Sequence, residues 1–179
     1  SAGNHGMSVA AGAAIFGAGA IIYLAETVPT AFADRLREKG ADVRIEGAEY
    51  EASMAAAQKC AEDEGATLLS DSSWEGYLTL PHKLMEGYTV MVAEAVGQLD
   101  EAPTHIMLQA GVGGLAAAVA AYARKAWGDI PTIVVVEPER APALQAAIDA
   151  GAFVAATGSV SNMGRLEGSL ADIAKGPRP

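Results

Sequence analysis

The sequence is short of the residue types that would announce several kinds of chemistry. Its 179 residues include a single cysteine, Cys60, so no intrachain disulfide can form and a reducing cytoplasm is the expected compartment. Cys60 sits in the stretch Ala55-Ala56-Ala57-Gln58-Lys59-Cys60-Ala61, where it reads as a small core side chain. The three histidines, His5, His82 and His105, lie far apart and none makes a His-x-x-x-His or Cys/His spacing. No metal site is expected. Basic residues number 12 against 22 acids, for a formal net charge of −10. That balance argues against nucleic acid or an anionic membrane as a partner.

Charge is also missing from residues 1–25, which contain no Asp, Glu, Lys or Arg. Residues 7–25 match a membrane span in length, but Gly17-Ala18-Gly19 divides them into a helical half and a strand-like half, and no basic residues precede them as in a secretory signal. No membrane role is expected.

What is present is a globular composition, 51% hydrophobic and 19% charged. Helices and short apolar strands alternate along it. A Gly/Asn/His loop over residues 1–6 leads into a helix ending at Phe16, then a strand over 20–24. A helix over 30–39 is closed by Gly40. A strand over 42–45 and a helix over 50–64, closed by Gly65, follow. Further strands are expected at 67–70, 105–108 and 132–136, with helices from near Pro81 to 99, from 116 to 127 and from 141 to 150. Residues 151–179 are glycine-rich and weakly patterned. Such alternation predicts an α/β fold with parallel sheets and flanking helices, and the run Ile133–Val136 fits a strand covered on both faces. Both ends look cut, since Ser1 opens on a loop with no strand feeding it and the last residues complete no further unit. A fragment, incomplete at both ends, is the expectation.

Ligands in such sheets sit beyond the carboxyl ends of strands, and three segments fall there. Gly111-Val112-Gly113-Gly114-Leu115, between a strand and a helix, can aim backbone N–H groups and the helix dipole at a phosphate; it reads equally as a tight turn with no ligand. It also fits the dinucleotide pattern G-x-G-x-x-A, with Glu137 where a ribose-binding acid would lie. Against that, Pro138 follows at once and the loop lies mid-chain. Asp71-Ser72-Ser73-Trp74-Glu75-Gly76-Tyr77 packs acids, hydroxyls and aromatics together; Asp71, partly desolvated, would suit proton transfer, or it simply caps a turn. Ser1-Ala2-Gly3-Asn4-His5-Gly6 offers a pocket for a small anion or an ordinary helix cap.

Taken together these segments resemble a known group. Residues 1–6 resemble the asparagine loop of fold type II pyridoxal-phosphate enzymes, the tryptophan-synthase-β/serine-threonine dehydratase superfamily. Residues 71–77, Leu108-Gln109-Ala110-Gly111-Val112-Gly113 and Asn162-Met163-Gly164-Arg165-Leu166 resemble the diaminopropionate ammonia-lyases more specifically. The resemblance covers essentially the whole chain. It implies pyridoxal 5'-phosphate as cofactor, with Asn4 on its phenolic oxygen and the N–H groups of Gly111, Val112, Gly113, Gly114 and Leu115 around its phosphate. Ser1, Gly3 and His5 would grip a small amino-acid substrate by its carboxylate, and Asp71 would be the active-site acid. The implied reaction removes ammonia from 2,3-diaminopropionate to give pyruvate and a second ammonia; a serine/threonine dehydratase is the alternative within the group, and an NAD(P)-dependent oxidoreductase or a non-catalytic binding module lies outside it. The implied architecture is a smaller, mobile lobe over 1–73 and part of a larger lobe over 74–179, in a cytoplasmic homodimer. Ala2 stands where these lyases often carry an acid associated with the D-substrate, which leaves enantiomer preference open. The Schiff-base lysine of the group would precede Ser1, and Lys39, Lys59, Lys83, Lys125 and Lys175 sit in contexts that do not match it. The chain alone is therefore expected to be inactive.

Overall fold

The computed structural model of the chain describes residues 3–139, 141–152 and 154. The segment Asn162–Leu166 lies outside them. The chain divides into two units, Ser1–Leu68 and Leu69–Pro179.

The first unit opens with α1 (Asn4–Phe16), closed by Gly17 at φ +70. Strands β1 (Ile21–Leu24) and β2 (Asp42–Ile45) pair in parallel, Ile21 opposite Asp42. The connection between them is α2 (Thr30–Glu38), long enough for the crossover that parallel strands demand. Alternation along β1 buries Ile22 and Leu24, and the three-residue step in α2 buries Ala33 and Leu36. With Ala10 and Ala41 these make one apolar cluster. Helix α3 (Tyr50–Glu64) ends at Gly65. Its entry requires Gly47, at φ +92, where a Cβ would stand 2.7 Å from that of Ala52 and 2.8 Å from the Ser53 nitrogen. Arg44 of β2 fastens the layers together. Its Nη1 donates to Glu64 Oε1 at 2.8 Å, to the Tyr23 hydroxyl at 3.2 Å and to Cys60 Sγ at 3.3 Å, while Nε donates to Asp42. Cys60 is a buried thiol within that cluster, as its alanine-rich setting suggests.

In the second unit α4 (Thr79–Gln98) precedes β3 (His105–Gln109), α5 (Gly114–Trp127), β4 (Thr132–Val136) and α6 (Ala143–Ala150). Strands β3 and β4 pair in parallel across α5, His105 opposite Thr132. Small residues make the inner face of α5, with Ala116, Ala118, Val119 and Ala123 buried, and α4 packs against it. Val92, Leu108, Ala110, Ala116, Val119 and Leu144 form the core.

Three local expectations change. Asn4, His5 and Gly6 form the first turn of α1, not a loop, because extended Gly3 already serves as N-cap and its carbonyl accepts from Met7 N at 3.2 Å. Residues 67–70 join no strand among the described residues. Their polar groups serve the next loop instead: Ser70 N donates to the Tyr77 hydroxyl and Ser70 Oγ accepts from Ser72 N. Strand β4 is not covered on both faces, since Val136 is 53% exposed beside Met107 of β3 at 70%; the core cluster takes the alternate residues Ile106 and Leu108.

Candidate functional site

The glycine loop grows out of β3. Ala110 still extends the sheet, its N–H donating to the Val136 carbonyl at 3.0 Å. The chain then turns over Gly111, Val112 and Gly113, which takes φ +92, a conformation that a side chain would strain. Helix α5 starts there with no side-chain cap and no acid in its first turn. Its first N–H with an acceptor is that of Ala117, bonded to the Gly113 carbonyl at 2.9 Å. The N–H groups of residues 111–116 have no acceptor among the described residues. Gly113, Gly114 and Ala116 are buried and their neighbours half-buried, so water reaches this row poorly. A buried N–H left without an acceptor costs about 1–3 kcal/mol. A row of them at the positive end of a helix dipole is satisfied by an anion. The donor set therefore fits a phosphate monoester.

Asp71 adjoins that row. Its backbone carbonyl lies 3.8 Å from the position a Cβ on Gly114 would occupy, and Met85 Cγ lies 3.6 Å from the same point. The loop that carries Asp71 is tied on both sides of it. Upstream, Ser70 N donates to the Tyr77 hydroxyl at 3.0 Å; downstream, Ser72 N donates to Ser70 Oγ at 3.2 Å. Trp74 and Tyr77 pair through their backbones and stack, with ring centroids 4.2 Å apart and planes 14° from parallel. Gly76 makes this turn at φ +83, as the third residue of a type II turn does. Ser72 is buried, and its Oγ has no hydrogen-bond partner among the described residues.

Sequence alone does not single out Met85 and Tyr88. Pro81, Met85, Tyr88 and Val92 follow helical spacing on α4, with Pro81 and Val92 buried, and that stripe was the available signal. Burial raises the pKa of the Tyr88 hydroxyl, and the Asp71 charge adds to it. Burial raises that of Tyr77 as well, partly opposed by the Ser70 N–H bond and reinforced by Asp71. Asp71 thus lies within electrostatic reach of two phenols that stay protonated.

The remaining candidates lie in the first unit or outside the described residues. Gly3 is the extended N-cap of α1; Asn4 is its exposed first residue and His5 its half-buried second. This helix too starts without a side-chain cap or an acid in its first turn. Ser1 falls outside the described residues. The structure brings Asp71 and Gly114 together within the second unit.

Glu137 has a structural task. Its Oε1 accepts from Leu144 N at 2.7 Å and its Oε2 from Gln145 N at 2.8 Å, capping α6. With both oxygens so engaged, the acid that the dinucleotide reading assigned to a ribose is an N-terminal helix cap. Among the described residues no group of three or more His, Cys, Asp or Glu side chains could hold a metal ion, and no helix is long and apolar enough to cross a membrane.

The chain is similar to proteins of one family. The pattern of the pyridoxal-phosphate dependent enzyme family matches residues 1–176. A diaminopropionate ammonia-lyase of Salmonella typhimurium is 36% identical over 168 residues, which span 90% of this chain and 42% of that protein. The crystal structure of the holo diaminopropionate ammonia-lyase of Escherichia coli superposes with a TM-score of 0.87 at 28% identity, over 97% of this chain and 44% of that one. The same enzyme in complex with D-serine gives a TM-score of 0.86. The chain thus spans less than half the length of these relatives.

Proposed function

The chain belongs to the pyridoxal-phosphate dependent enzymes, and we propose that its parent protein is an ammonia-lyase that eliminates ammonia from 2,3-diaminopropionate, giving pyruvate and a second ammonia. The observation that carries the site is the buried, uncapped N-terminal turn of α5 meeting the Asp71 loop at Gly114. The choice of substrate draws on the 36% identity to a lyase of that name.

The backbone N–H groups of Gly111, Val112, Gly113, Gly114 and Leu115 hold the cofactor phosphate. Asn4 donates to the oxygen on the cofactor ring, while Ser1, Gly3 and His5 bind the substrate carboxylate. Asp71 accepts a proton from the substrate or holds its second amine, and the aromatic pair Trp74 and Tyr77 limits water around it. The cofactor, when bound, supplies an electron sink for the carbon that loses its proton. The first unit acts as a smaller mobile lobe, and the second, which carries the Asp71 loop, as part of the larger one. The parent works as a cytoplasmic homodimer on a small amino acid, with neither nucleic acid nor membrane as partner. The D-serine complex of the E. coli enzyme supports a small amino-acid ligand.

The test is turnover by the full-length parent protein, followed as release of the 2-oxo acid, pyruvate from diaminopropionate or serine and 2-oxobutyrate from threonine. Diaminopropionate should exceed serine and threonine by at least about tenfold in kcat/KM, a gap near 1.4 kcal/mol in transition-state binding, with two ammonia molecules formed per pyruvate. A preference for serine or threonine would make it a dehydratase.

A further inference from the structure

We propose that Tyr77 is a positioning residue of this site, its hydroxyl closing the loop that fixes Asp71 against the N-terminus of α5. The inference rests on the reading of Asp71 as the active-site acid and assigns its neighbour a task of its own.

The backbone of residues 70–72 carries Asp71. Asp71 lies between two amides that are both tied. The amide after it, Ser72 N, reaches only back to Ser70 Oγ, a bond within the turn itself. The amide before it, Ser70 N, donates at 3.0 Å to the hydroxyl of Tyr77, seven residues downstream. That bond spans the loop and ties its start to the Trp74–Tyr77 turn. Tyr77 is held three ways: its N–H donates to the Trp74 carbonyl at 2.9 Å, its carbonyl accepts from Trp74 N at 3.4 Å, and its ring stacks on Trp74. Gly76, at φ +83, makes the turn that permits this pairing. A phenol immobilised at both ring and backbone presents its oxygen at a fixed point. Ser70, and hence Asp71, is fixed with it. On the far side the Asp71 carbonyl abuts Gly114. Removing the hydroxyl frees the Ser70 amide while leaving the stacked ring in place, so the segment next to Asp71 loses one of its restraints. A charged group must be held within about half an ångström of its working geometry, so its contribution should fall although the residue itself is untouched.

The experiment uses the full-length parent protein with cofactor bound and compares Tyr77→Phe with Asp71→Asn. Tyr77→Phe should lower kcat about tenfold with KM changed less than threefold. It should also speed amide hydrogen exchange at Ser70 at least tenfold and keep the near-ultraviolet circular dichroism of the Trp74 stack. A second variant, Gly76→Ala, strains the turn without touching the hydroxyl and should produce a smaller loss in kcat with a correspondingly smaller rise in exchange. Unchanged exchange at Ser70, or kcat within twofold of the unsubstituted protein while Asp71→Asn is inactive, overturns the positioning role and leaves the lyase reading standing. Full turnover in Asp71→Asn overturns the reading of Asp71 as the active-site acid and, with it, the positioning role of Tyr77.

Discussion

Both units join two parallel strands through a helix, and both crossover helices start without a side-chain cap, α2 at Pro29 and α5 at Gly113. They differ in what surrounds the open N–H groups. Pro29, Thr30 and Ala31 lie toward solvent, whereas Gly113 and Gly114 are buried. Water satisfies the first set at little cost; the second set needs a ligand. Other polar groups divide the same way. In the first unit the Arg44 guanidinium meets Asp42, Tyr23, Cys60 and Glu64. In the second, Ser72 keeps a buried hydroxyl with no partner among the described residues. One topology therefore carries two arrangements: a polar network closed on itself, and a row of buried donors without acceptors among the described residues.

The comparison is broken most directly at the two helix starts. Gly113→Val forces a β-branched residue into φ +92 at the centre of the N–H row. Strain of about 1–3 kcal/mol, added to the lost donor geometry, should weaken binding of pyridoxal phosphate to the full-length protein about 100-fold, as read by equilibrium dialysis. Pro29→Val at the start of α2 should leave the affinity within about twofold. Equal losses at both positions would mean that burial of the N–H groups does not distinguish the helices.

A smaller effect should reverse sign between the two starts. An acid in the first turn interacts favourably with the helix dipole by about 0.3–1 kcal/mol when nothing competes for that turn. Ala31→Asp in exposed α2 should therefore stabilise by about 0.5 kcal/mol in urea unfolding. Leu115→Asp in α5 puts a negative charge at the proposed phosphate site. Compared with Leu115→Asn, which controls for lost packing, it should weaken phosphate binding about tenfold, near 1.4 kcal/mol. If Asp and Asn at position 115 bind phosphate alike, no anion occupies that turn.

The sequence carried much of this contrast but not all of it. The α/β alternation was legible because apolar periodicity and terminal glycines mark elements directly; Gly17, Gly65 and Gly151 all close helices with positive φ. The strand-to-helix turn at residues 111–113 was legible for the same reason, since Gly113 is placed where only glycine adopts the turn without strain. Residues 67–70 misled because Thr-Leu-Leu-Ser has strand composition, while the partners of the Ser70 nitrogen and Oγ come from side-chain geometry that no periodicity encodes. Glu137 misled because an acid after a strand is the same pattern whether it binds a ribose or caps α6. Tyr88 was invisible for a third reason: a tyrosine on a helical stripe looks like core until Asp71 is seen nearby.

The closed network of the first unit should show itself in acid. The Arg44 guanidinium, with Cys60 adding a hydrogen bond, holds the Glu64 carboxyl below its ordinary value of 4.5. A carboxyl whose folded-state pKa is depressed stabilises the fold fully above the unfolded value, and that stabilisation is lost as pH falls through the depressed value. Urea midpoints measured between about pH 6 and pH 3 should therefore fall on the acid side, and Glu64→Gln should flatten part of that fall. The pair is exposed to solvent, so the difference should be small and shrink further with added salt. An unaltered acid slope in Glu64→Gln would show that the cluster is not closed in solution.

The smallest effect tests whether the open network extends to Ser72. A buried hydroxyl with no partner is a net cost, and its removal by Ser72→Ala takes away little volume. On stability alone the variant should be neutral or gain up to about 1 kcal/mol. Tyr77 still holds Ser70 in that variant, so pyridoxal-phosphate affinity should stay within about twofold. A loss of affinity beyond about tenfold would place Ser72 among the groups that complete their hydrogen bonds only when the site is filled. The opening in the second unit would then run from α5 through the Asp71 loop as one continuous surface, and the contrast with the first unit would sharpen.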